Sequence, residues 1–300
     1  MKRISLISAL SSLVLVAACG GGSDDTNSSE PVAAPEAQTA MTLEAAVAAE
    51  TRDADNRQRD PYRNPVETLS FFGLEPDMTA VEIWPGGGWY AEIIAPYLAA
   101  GGGTYIAAGF DPNGASERGL ARIAAFNDKF TGNPEFYGDV EISAFSARSG
   151  LLASAGSADM VLTFRNVHNW MSGDYAEKAF ADFYKVLKPG GILGVVEHRL
   201  PADRDQEAAS ASGYVREDVV VALAEAAGFE LVGKSEINAN PADTADHPFG
   251  VWTLPPVRRT SATRDPDPEF DRAPYDAIGE SDRMTLKFRK PLTADGALLE

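Results

Sequence analysis

Residues 80–90 of the 300-residue chain read AVEIWPGGGWY, and this stretch decides the fold. An apolar run that carries one acid, Glu82, breaks at Pro85 and three glycines and then enters a helical pattern of apolar residues. This order predicts a strand, a glycine turn and a helix, which together present backbone N–H groups and a helix N-terminus to a ligand. Glycine suits such a turn because a Cβ would block the close approach of a ligand and disfavour a positive φ. A glycine turn can also be a plain connection, so its meaning depends on the rest of the chain.

Strand and helix patterns alternate through the remaining sequence. Strands are predicted at 81–84, 101–111, within 135–145, and at 158–164, 192–197, 229–235 and 284–288. The best-defined helix begins at Asp174 as N-cap, with Glu177 in the capping-box position, and ends before the Lys-Pro-Gly-Gly turn at 188–191. Because helices separate most strands, we expect an α/β fold with a Rossmann-like, doubly wound, mostly parallel seven-stranded sheet. The last strand follows its predecessor without a helical crossover, so it is predicted to be antiparallel.

The composition limits the kind of partner. The chain has 44% hydrophobic residues and a formal net charge of −18, and its length allows a sizeable core in one or two domains. Nucleic acid is not expected as a partner, because phosphate binding depends on clustered Lys and Arg, and the sequence has no basic patch. A small-molecule substrate is expected instead, and the sequence leaves the oligomeric state open.

The N-terminal segment resembles a bacterial secretory signal. A basic start, Met1-Lys-Arg, precedes an apolar run over 4–18 that ends directly before Cys19, the one cysteine of the chain. The run is too short for a stable membrane span. Its end resembles the lipobox of bacterial lipoproteins, which implies a lipid anchor on Cys19; the alternative is an ordinary signal peptide with an incidental cysteine. In such families Gly20 after the cysteine implies the outer membrane, so we expect a lipid-anchored envelope protein that faces the periplasm.

The domain organisation follows from changes in composition. After the signal peptide over 1–18, a flexible tether is predicted over 19–40, a helical arm over 41–65 and the main domain over 66–300. The charged run in the arm is either a solvated helix face or part of a cover over the pocket, in which case Tyr62 or Arg63 touches the ligand. Residues 238–281 lack periodicity and are predicted to form a lid insertion, because the apolar stretch at 247–252 favours local order.

Several motifs together resemble those of the class I S-adenosylmethionine-dependent methyltransferases. Residues 82–88, EIWPGGG, align with the acid-x-Gly-x-Gly-x-Gly signature of that family, and Asp111 closes the second strand. LKPGGI at 187–192 lies between a helix and strand five, and AGF at 227–229 precedes strand six. The stretches WPGGGWY, FRNVHNW and DRMTLKFRKP further resemble a group of bacterial predicted methyltransferases. The resemblance implies a methyltransferase-like domain over 66–300 that transfers a methyl group from S-adenosylmethionine to a small molecule.

The resemblance also implies where the cofactor binds. In the family the acid that ends strand two holds the ribose hydroxyls, and a carboxylate can accept a hydrogen bond from each of them. Trp84 stands at the position of the first glycine of the family signature, so the turn is bulkier there. Strand three offers no clear adenine-binding acid, since the register of Asp139 is uncertain. The expected cofactor-binding residues are Glu82, Pro85, Gly86, Gly88, Asp111, Arg165 and Asn166.

Three histidines are candidates for the chemistry. His168 follows strand four, His198 follows strand five and His247 lies in the predicted lid, and ligands bind at the carboxyl ends of parallel strands. They are polar structural residues, or one is a general base with Glu197 or Tyr214 as its partner. A metal site is the least favoured interpretation, because no spacing such as His-x-x-x-His occurs. The catalytic candidates are therefore His168, His198 and Tyr214, and no metal is expected.

Two other functions remain open. An NAD-dependent oxidoreductase would share the fold and the role of Asp111, but the sequence lacks Gly-x-Gly-x-x-Gly and any hydride-transfer constellation. A non-catalytic envelope lipoprotein would bind a nucleotide-like or other small ligand in the same pocket. Trp84 favours this second alternative, and so does an expected location outside the cytoplasm, where S-adenosylmethionine is made.

Overall fold

The computed structural model describes residues 41–263 and 265–292. The predicted signal peptide, Cys19 with its expected lipid, and the tether over 19–40 lie outside the described residues. Within the described ranges, no helix combines the length and the apolar character needed to cross a bilayer.

Helices and strands alternate along the described chain. The helices are α1 (Leu43–Ala48), α2 (Ala54–Arg57), α3 (Asp60–Arg63), α4 (Pro65–Phe72), α5 (Ala91–Gly101), α6 (Glu117–Phe130), α7 (Pro134–Tyr137), α8 (Val167–Ser172), α9 (Ala176–Val186), α10 (Glu217–Ala226) and α11 (Ala273–Ile278). The strands are β1 (Thr79–Ile83), β2 (Thr104–Phe110), β3 (Glu141–Phe145), β4 (Ala158–Phe164), β5 (Leu187–Leu200), β6 (Val215–Arg216), β7 (Glu230–Ser235), β8 (Pro248–Val251) and β9 (Arg283–Arg289).

The sheet has the predicted topology. Seven strands follow the order β3-β2-β1-β4-β5-β9-β7, and the two-residue β6 pairs with β5 as an eighth strand. Strands β3, β2, β1, β4 and β5 are parallel, whereas β9 runs antiparallel to both β5 and β7. The prediction of a Rossmann-like, mostly parallel sheet with an antiparallel last strand is confirmed. The eighth strand was not predicted, because two residues are too few to produce a periodic pattern.

Both faces of the sheet are covered. In β1, Val81 and Ile83 pack into one core while Ala80 packs into the other, which is the alternation expected of a strand buried on two sides. Opposite Ile83 lie Ala108 of β2 and Thr163 of β4, so these three strands end at the same edge of the sheet. The glycine turn after β1 emerges at that edge.

Two local predictions were wrong. Helix α9 begins at Ala176 rather than after Asp174, which has φ +57° and gives no side-chain cap. The reason is that α8 ends at Ser172, so Asp174 lies in the short link between two helices. The Lys-Pro-Gly-Gly stretch belongs to the start of β5 rather than to a turn, since Gly190 donates its N–H to the carbonyl of Lys290 at 2.8 Å. That extra pairing beyond β9 is a tertiary contact with no local sequence signal.

Candidate functional site

The turn after β1 presents an open backbone edge. Gly86 has φ +63°, and a Cβ placed on Gly86 or Gly87 would meet no heavy atom within 4 Å. Gly88, with φ +87°, faces inward instead, because a Cβ there would lie 2.3 Å from the ring of Phe130 on α6. The expectation that Gly88 contacts a cofactor is therefore corrected: packing against α6 requires glycine at this position, and Gly87 stands beside Gly86 at the open edge.

Two cavities meet at this edge, and Pro85, Gly86, Gly87 and Phe110 line both of them. The first, of about 420 Å³, lies over the carboxyl ends of β1, β4 and β5 and is also lined by the N-terminal arm and by 251–257. The second, of about 730 Å³, lies between α6 and strands β2 and β3 and is mainly apolar. Of the predicted site residues, the first cavity is lined by Glu82, Pro85, Gly86, Arg165, Asn166, His168 and His198.

Four arginines surround one carboxylate in the first cavity. Glu280 accepts hydrogen bonds from Arg59 Nε at 2.6 Å and Arg63 Nε at 3.3 Å, and it pairs with the guanidinium of Arg283. Arg165 Nη1 lies 3.9 Å from the same carboxylate. Burial alone would raise the pKa of Glu280, but Arg283, Arg63 and Arg59 outweigh it and hold that pKa at about 2. The carboxylate is therefore ionised at every physiological pH.

The surroundings lower the pKa of two of these arginines. Burial, with Arg165 nearby, lowers the pKa of Arg63 well below its ordinary value. Burial, with Arg283 nearby, lowers the pKa of Arg165 to about 10. Both shifts mean that the surroundings disfavour these positive charges compared with water.

Glu82 lies beneath the glycine turn. It is 3% exposed and accepts a hydrogen bond from the hydroxyl of Tyr105 at 2.6 Å. Burial raises the pKa of Glu82 to about 7, while Tyr105, Arg165 and Arg63 limit the rise. The predicted motif acid therefore lines the cavity and changes charge near neutral pH.

His168 and Glu197 form a buried hydrogen-bonded pair on the wall of the first cavity. His168 Nδ1 lies 3.1 Å from Glu197 Oε1, and the carboxylate also accepts the backbone N–H groups of His168 at 3.3 Å and His198 at 2.8 Å. Because a carboxylate accepts, the Nδ1 atom of His168 donates to Glu197; in the neutral imidazole, Nε2 is then the ring nitrogen with a free lone pair.

His198 has a different environment. Its Nδ1 atom lies 2.5 Å from the hydroxyl of Ser281. Burial, then His168, then Arg283 and further arginines, hold the pKa of His198 well below its ordinary value. His198 is therefore neutral at physiological pH and offers a hydrogen-bonding group rather than a charge.

The same histidines and Glu197 are also a possible metal set. Ligand atoms of His168, Glu197 and His198 lie within 4.8 Å of one another, and two histidines with one carboxylate can hold a divalent ion. Both carboxylate oxygens of Glu197, however, already accept hydrogen bonds from N–H groups. The neighbouring arginines would also repel a cation. The geometry therefore favours an acid–base pair over a metal centre.

Besides Gly88, two predicted site residues, Tyr214 and Asp111, lie outside both cavities. Tyr214 is fully buried and donates its hydroxyl to Asp243 at 3.0 Å, and burial raises the pKa of this tyrosine above its ordinary value. Tyr214 is therefore corrected from a catalytic candidate to a structural residue that joins β6 to the 238–281 segment. Asp111 follows β2 and accepts hydrogen bonds from the Asn113 N–H at 2.9 Å and the Ser146 hydroxyl at 3.0 Å. It stands beside Phe110, one of the residues that line both cavities.

Comparison with solved structures is consistent with this geometry. The crystal structure of the [4+2]-cyclase SpnF superposes with a TM-score of 0.52 at 17% identity, covering 81% of this chain and 86% of that one. A candidate sarcosine dimethylglycine methyltransferase from Galdieria sulphuraria superposes with a TM-score of 0.50 at 12% identity, covering 81% and 86%. The chain has the class I methyltransferase fold. No protein-family profile matches the sequence, and no curated protein matches it.

One residue departs from the pattern that the family signature implies. Trp84, at the first glycine position, has φ +50°, and its indole N–H donates to the carbonyl of Phe145 at the end of β3, at 2.9 Å. The indole also packs against Phe110, with ring centroids 4.6 Å apart, and against Trp170 at 6.1 Å. The protein's own side chain therefore occupies the crevice at the end of β3.

The remaining residues around the turn fit a nucleoside-containing cofactor. The cradle at Gly86 and Gly87 is open. Asp111 Oδ1 accepts hydrogen bonds from the backbone N–H and the Nδ2 atom of Asn113, and Oδ2 accepts one from Ser146, so acceptor capacity remains on Oδ2 for a ribose hydroxyl. Phe110 is 45% exposed beside Asp111, and it offers an aromatic face to a base at the mouth of the apolar cavity. A base would find room on the α6 side of the turn, because Trp84 fills the other side.

Sequence reasoning missed the residues that make the first cavity polar. The predicted site residues do not include Arg59, Arg283 and Glu280. Arg63 enters only in one of the two interpretations of the arm, in which the arm covers the pocket. A weak signal existed: the arm carries four arginines within 52–63, an unusual density in a chain of net charge −18. Nothing local indicated that Glu280 is their partner.

Proposed function

We propose that the protein is an S-adenosylmethionine-dependent methyltransferase that acts on a small molecule. The observation that carries this proposal is the open edge of Gly86 and Gly87, which lies between two cavities in the class I methyltransferase fold. Pro85, Gly86 and Gly87 would hold the methionine part of the cofactor, and Asp111 would hold the ribose. When bound, S-adenosylmethionine supplies an electrophilic methyl group on a sulfonium sulfur.

The residues of the first cavity have defined roles in this proposal. His168 Nε2 accepts a proton from the acceptor if the attacking atom starts protonated, and Glu197 fixes the orientation of the ring. Asn166 positions the loop after β4, because its Nδ2 donates to the carbonyl of Ile83 at 2.9 Å. Positioning of this kind supplies most of the rate in a transfer that needs in-line alignment.

The test is a calorimetric titration of S-adenosylmethionine, and of its demethylated product, into the full chain. We expect both to bind, and we expect Asp111→Ala to weaken binding about tenfold or more through the loss of the ribose contacts. Asp77→Ala is the matched control, because Asp77 is an exposed acid before β1, at the opposite edge of the sheet. The absence of binding heat, or equal affinities of the wild type and Asp111→Ala, would overturn the proposal.

A second candidate function is supported by Trp84. A protein that binds a small ligand without transferring a methyl group needs no space for adenine at the end of β3, and the indole fills that space. Under this alternative the first cavity holds its ligand in the absence of S-adenosylmethionine, and the calorimetric titration of the cofactor gives no heat. The two functions thus give opposite results in the same experiment.

We further propose that the protein resides in the cell envelope through a lipid on Cys19, facing the periplasm from the outer membrane. The support is the position of Cys19 directly after an apolar, small-residue signal segment. Cell fractionation of the wild type and of Cys19→Ser tests this location. We expect the wild type in the outer-membrane fraction and the variant released from it; a wild type recovered in the cytoplasm contradicts the proposal.

A further inference from the structure

The arginine cluster of the first cavity exceeds what its carboxylate partner requires. Among the described residues, Glu280 is the one carboxylate that forms ion pairs with Arg59, Arg63, Arg165 and Arg283. Four guanidinium groups therefore share one carboxylate. Glu82 also faces Arg165 and Arg63, but its pKa of about 7 means that it offsets only part of this charge. Buried charges are stable only when they are paired and hydrogen-bonded, so the remaining positive charge indicates a missing anionic partner.

Several donors of the cluster have no protein acceptor. Arg59 Nη2 and Arg283 Nε are buried and make no hydrogen bond within the described part of the chain. The guanidinium of Arg165, about a quarter exposed, also forms no hydrogen bond with any residue that the structure describes, and it lies 3.9 Å from the Glu280 carboxylate. Arg63 stacks over the Trp89 ring, 4.6 Å from its centroid, and uses only Nε for Glu280. These unfilled donors line one wall of the same cavity.

The backbone of Arg165 gives an independent indication. This residue has φ +64°, a backbone conformation that costs energy for residues other than glycine. The strain is held by a 2.7 Å hydrogen bond from its N–H to the carbonyl of Val196, and it directs Arg165 into the cavity rather than along β4. Strained residues of this kind cluster at ligand sites, because the surrounding structure fixes them there.

A purely structural cluster would look different. If Glu280 served only to join the arm to β9, the bonds from Arg59, Arg63 and Arg283 would complete that link. Arg165 adds nothing to the link, and its pKa is lowered to about 10 by burial beside Arg283. Its position is explained by a ligand whose negative charge compensates the guanidinium.

We propose that the first cavity binds a small oxyanion, a carboxylate or phosphate group of a small molecule, through Arg165, Arg59 and Arg63. The group lies beside Glu280 and within the cavity that His168 also lines, so the rest of the ligand faces the His168 side chain. The proposal goes beyond methyl transfer and stands without it; where methyl transfer occurs, the anionic molecule is the acceptor. Planar guanidinium groups suit both carboxylate and phosphate, because they donate two parallel hydrogen bonds.

The test measures anion binding by the full chain without S-adenosylmethionine. Inorganic phosphate and malonate are titrated calorimetrically, and thermal unfolding is followed in each at the ionic strength of a chloride reference. The variants are Arg165→Gln, which removes the charge, and Arg165→Lys, which keeps it. Arg289→Gln is the control, because Arg289 is exposed on β9 and, among the described residues, forms its ion pair with Glu230 at 3.0 Å. Circular dichroism establishes that each variant is folded, and Arg59→Gln replaces Arg165→Gln if that variant is not.

We expect at least one of the two anions to bind the wild type and to raise its unfolding temperature above that in chloride. Arg165→Gln should weaken binding about tenfold, Arg165→Lys less, and Arg289→Gln not at all. Binding of phosphate alone identifies a phosphate-bearing ligand, and binding of malonate alone a carboxylate. Failure of both anions to bind, or equal binding by the wild type and Arg165→Gln, overturns the proposal. Anion binding without cofactor binding refutes methyl transfer but leaves this inference intact.

Discussion

Replacing Glu280 by Gln tests the electrostatic account of the first cavity. Gln keeps the size of the side chain but leaves Arg59, Arg63 and Arg283 without their shared carboxylate. The pKa of Glu280 falls from 4.5 to about 2 on folding, which corresponds to about 3 kcal/mol of stability at pH 7. Because this pKa is depressed in the folded state, the contribution is present above pH 4.5 and is lost as the pH falls towards 2. We therefore expect Glu280→Gln to lower the free energy of unfolding at pH 7 by about 3 kcal/mol.

Urea unfolding followed by circular dichroism measures this loss. Glu230→Gln is the matched control, since within the described ranges Glu230 forms one ion pair, with Arg289, and both side chains are about half exposed. The control should change the free energy of unfolding by less than about 1 kcal/mol. Phosphate should stabilise Glu280→Gln more than it stabilises the wild type, because the anion restores negative charge to the cluster. A loss below about 1 kcal/mol in Glu280→Gln would refute the account, since that is the usual effect of an ordinary surface change.

Three further predictions concern the glycine turn and its surroundings. Gly88→Ala should lower the free energy of unfolding by more than about 2 kcal/mol, because the new Cβ would overlap Phe130. Gly87→Ala should leave stability unchanged and weaken cofactor binding. Urea unfolding measures the first effect for both variants, and calorimetry measures the second. Trp84→Gly should lower the free energy of unfolding by about 2–4 kcal/mol in the same assay, because lost aromatic packing outweighs relieved backbone strain. The pKa of Glu82 is raised from 4.5 to about 7, so its favourable contribution is complete below pH 4.5 and is lost as the pH rises through 7. The free energy of unfolding of Glu82→Gln, measured by urea unfolding at each pH, should therefore rise relative to that of the wild type by up to about 3 kcal/mol between pH 4 and pH 8.

The candidate site was partly accessible from the sequence because motif residues follow strands. Glu82 in β1, Arg165 and Asn166 after β4, and His198 in β5 all lie at the carboxyl edge, where a parallel sheet collects the residues that end its strands. The same reasoning predicted Tyr214 as a catalytic residue, but its side chain lines neither cavity. It precedes β6, a two-residue strand, and its hydroxyl is directed to Asp243, away from the cavity.

Gly88 shows a different limit of sequence reasoning. A glycine signature indicates positions at which a Cβ would be unfavourable, but it does not indicate which neighbouring group would clash with that Cβ. Gly86 is open to the cavities, whereas Gly88 is closed by Phe130 of a helix that lies some forty positions away in the printed sequence. The direction of each vacant Cβ position is a tertiary property.

The sequence by itself determined the succession of strands and helices, the parallel sheet with its antiparallel last strand, and the glycine turn at the carboxyl edge of the sheet. These features depend on hydrophobic periodicity and on backbone chemistry, which act over a few residues. Only the tertiary structure decided the charge of the pocket: Arg59 and Glu280 are 221 positions apart and meet because the arm and the segment before β9 converge on one cavity. It also decided that Trp84 fills the end of β3, since the indole finds its acceptor on Phe145, 61 positions away. Contacts of this range depend on how the elements pack, and no local pattern encodes them.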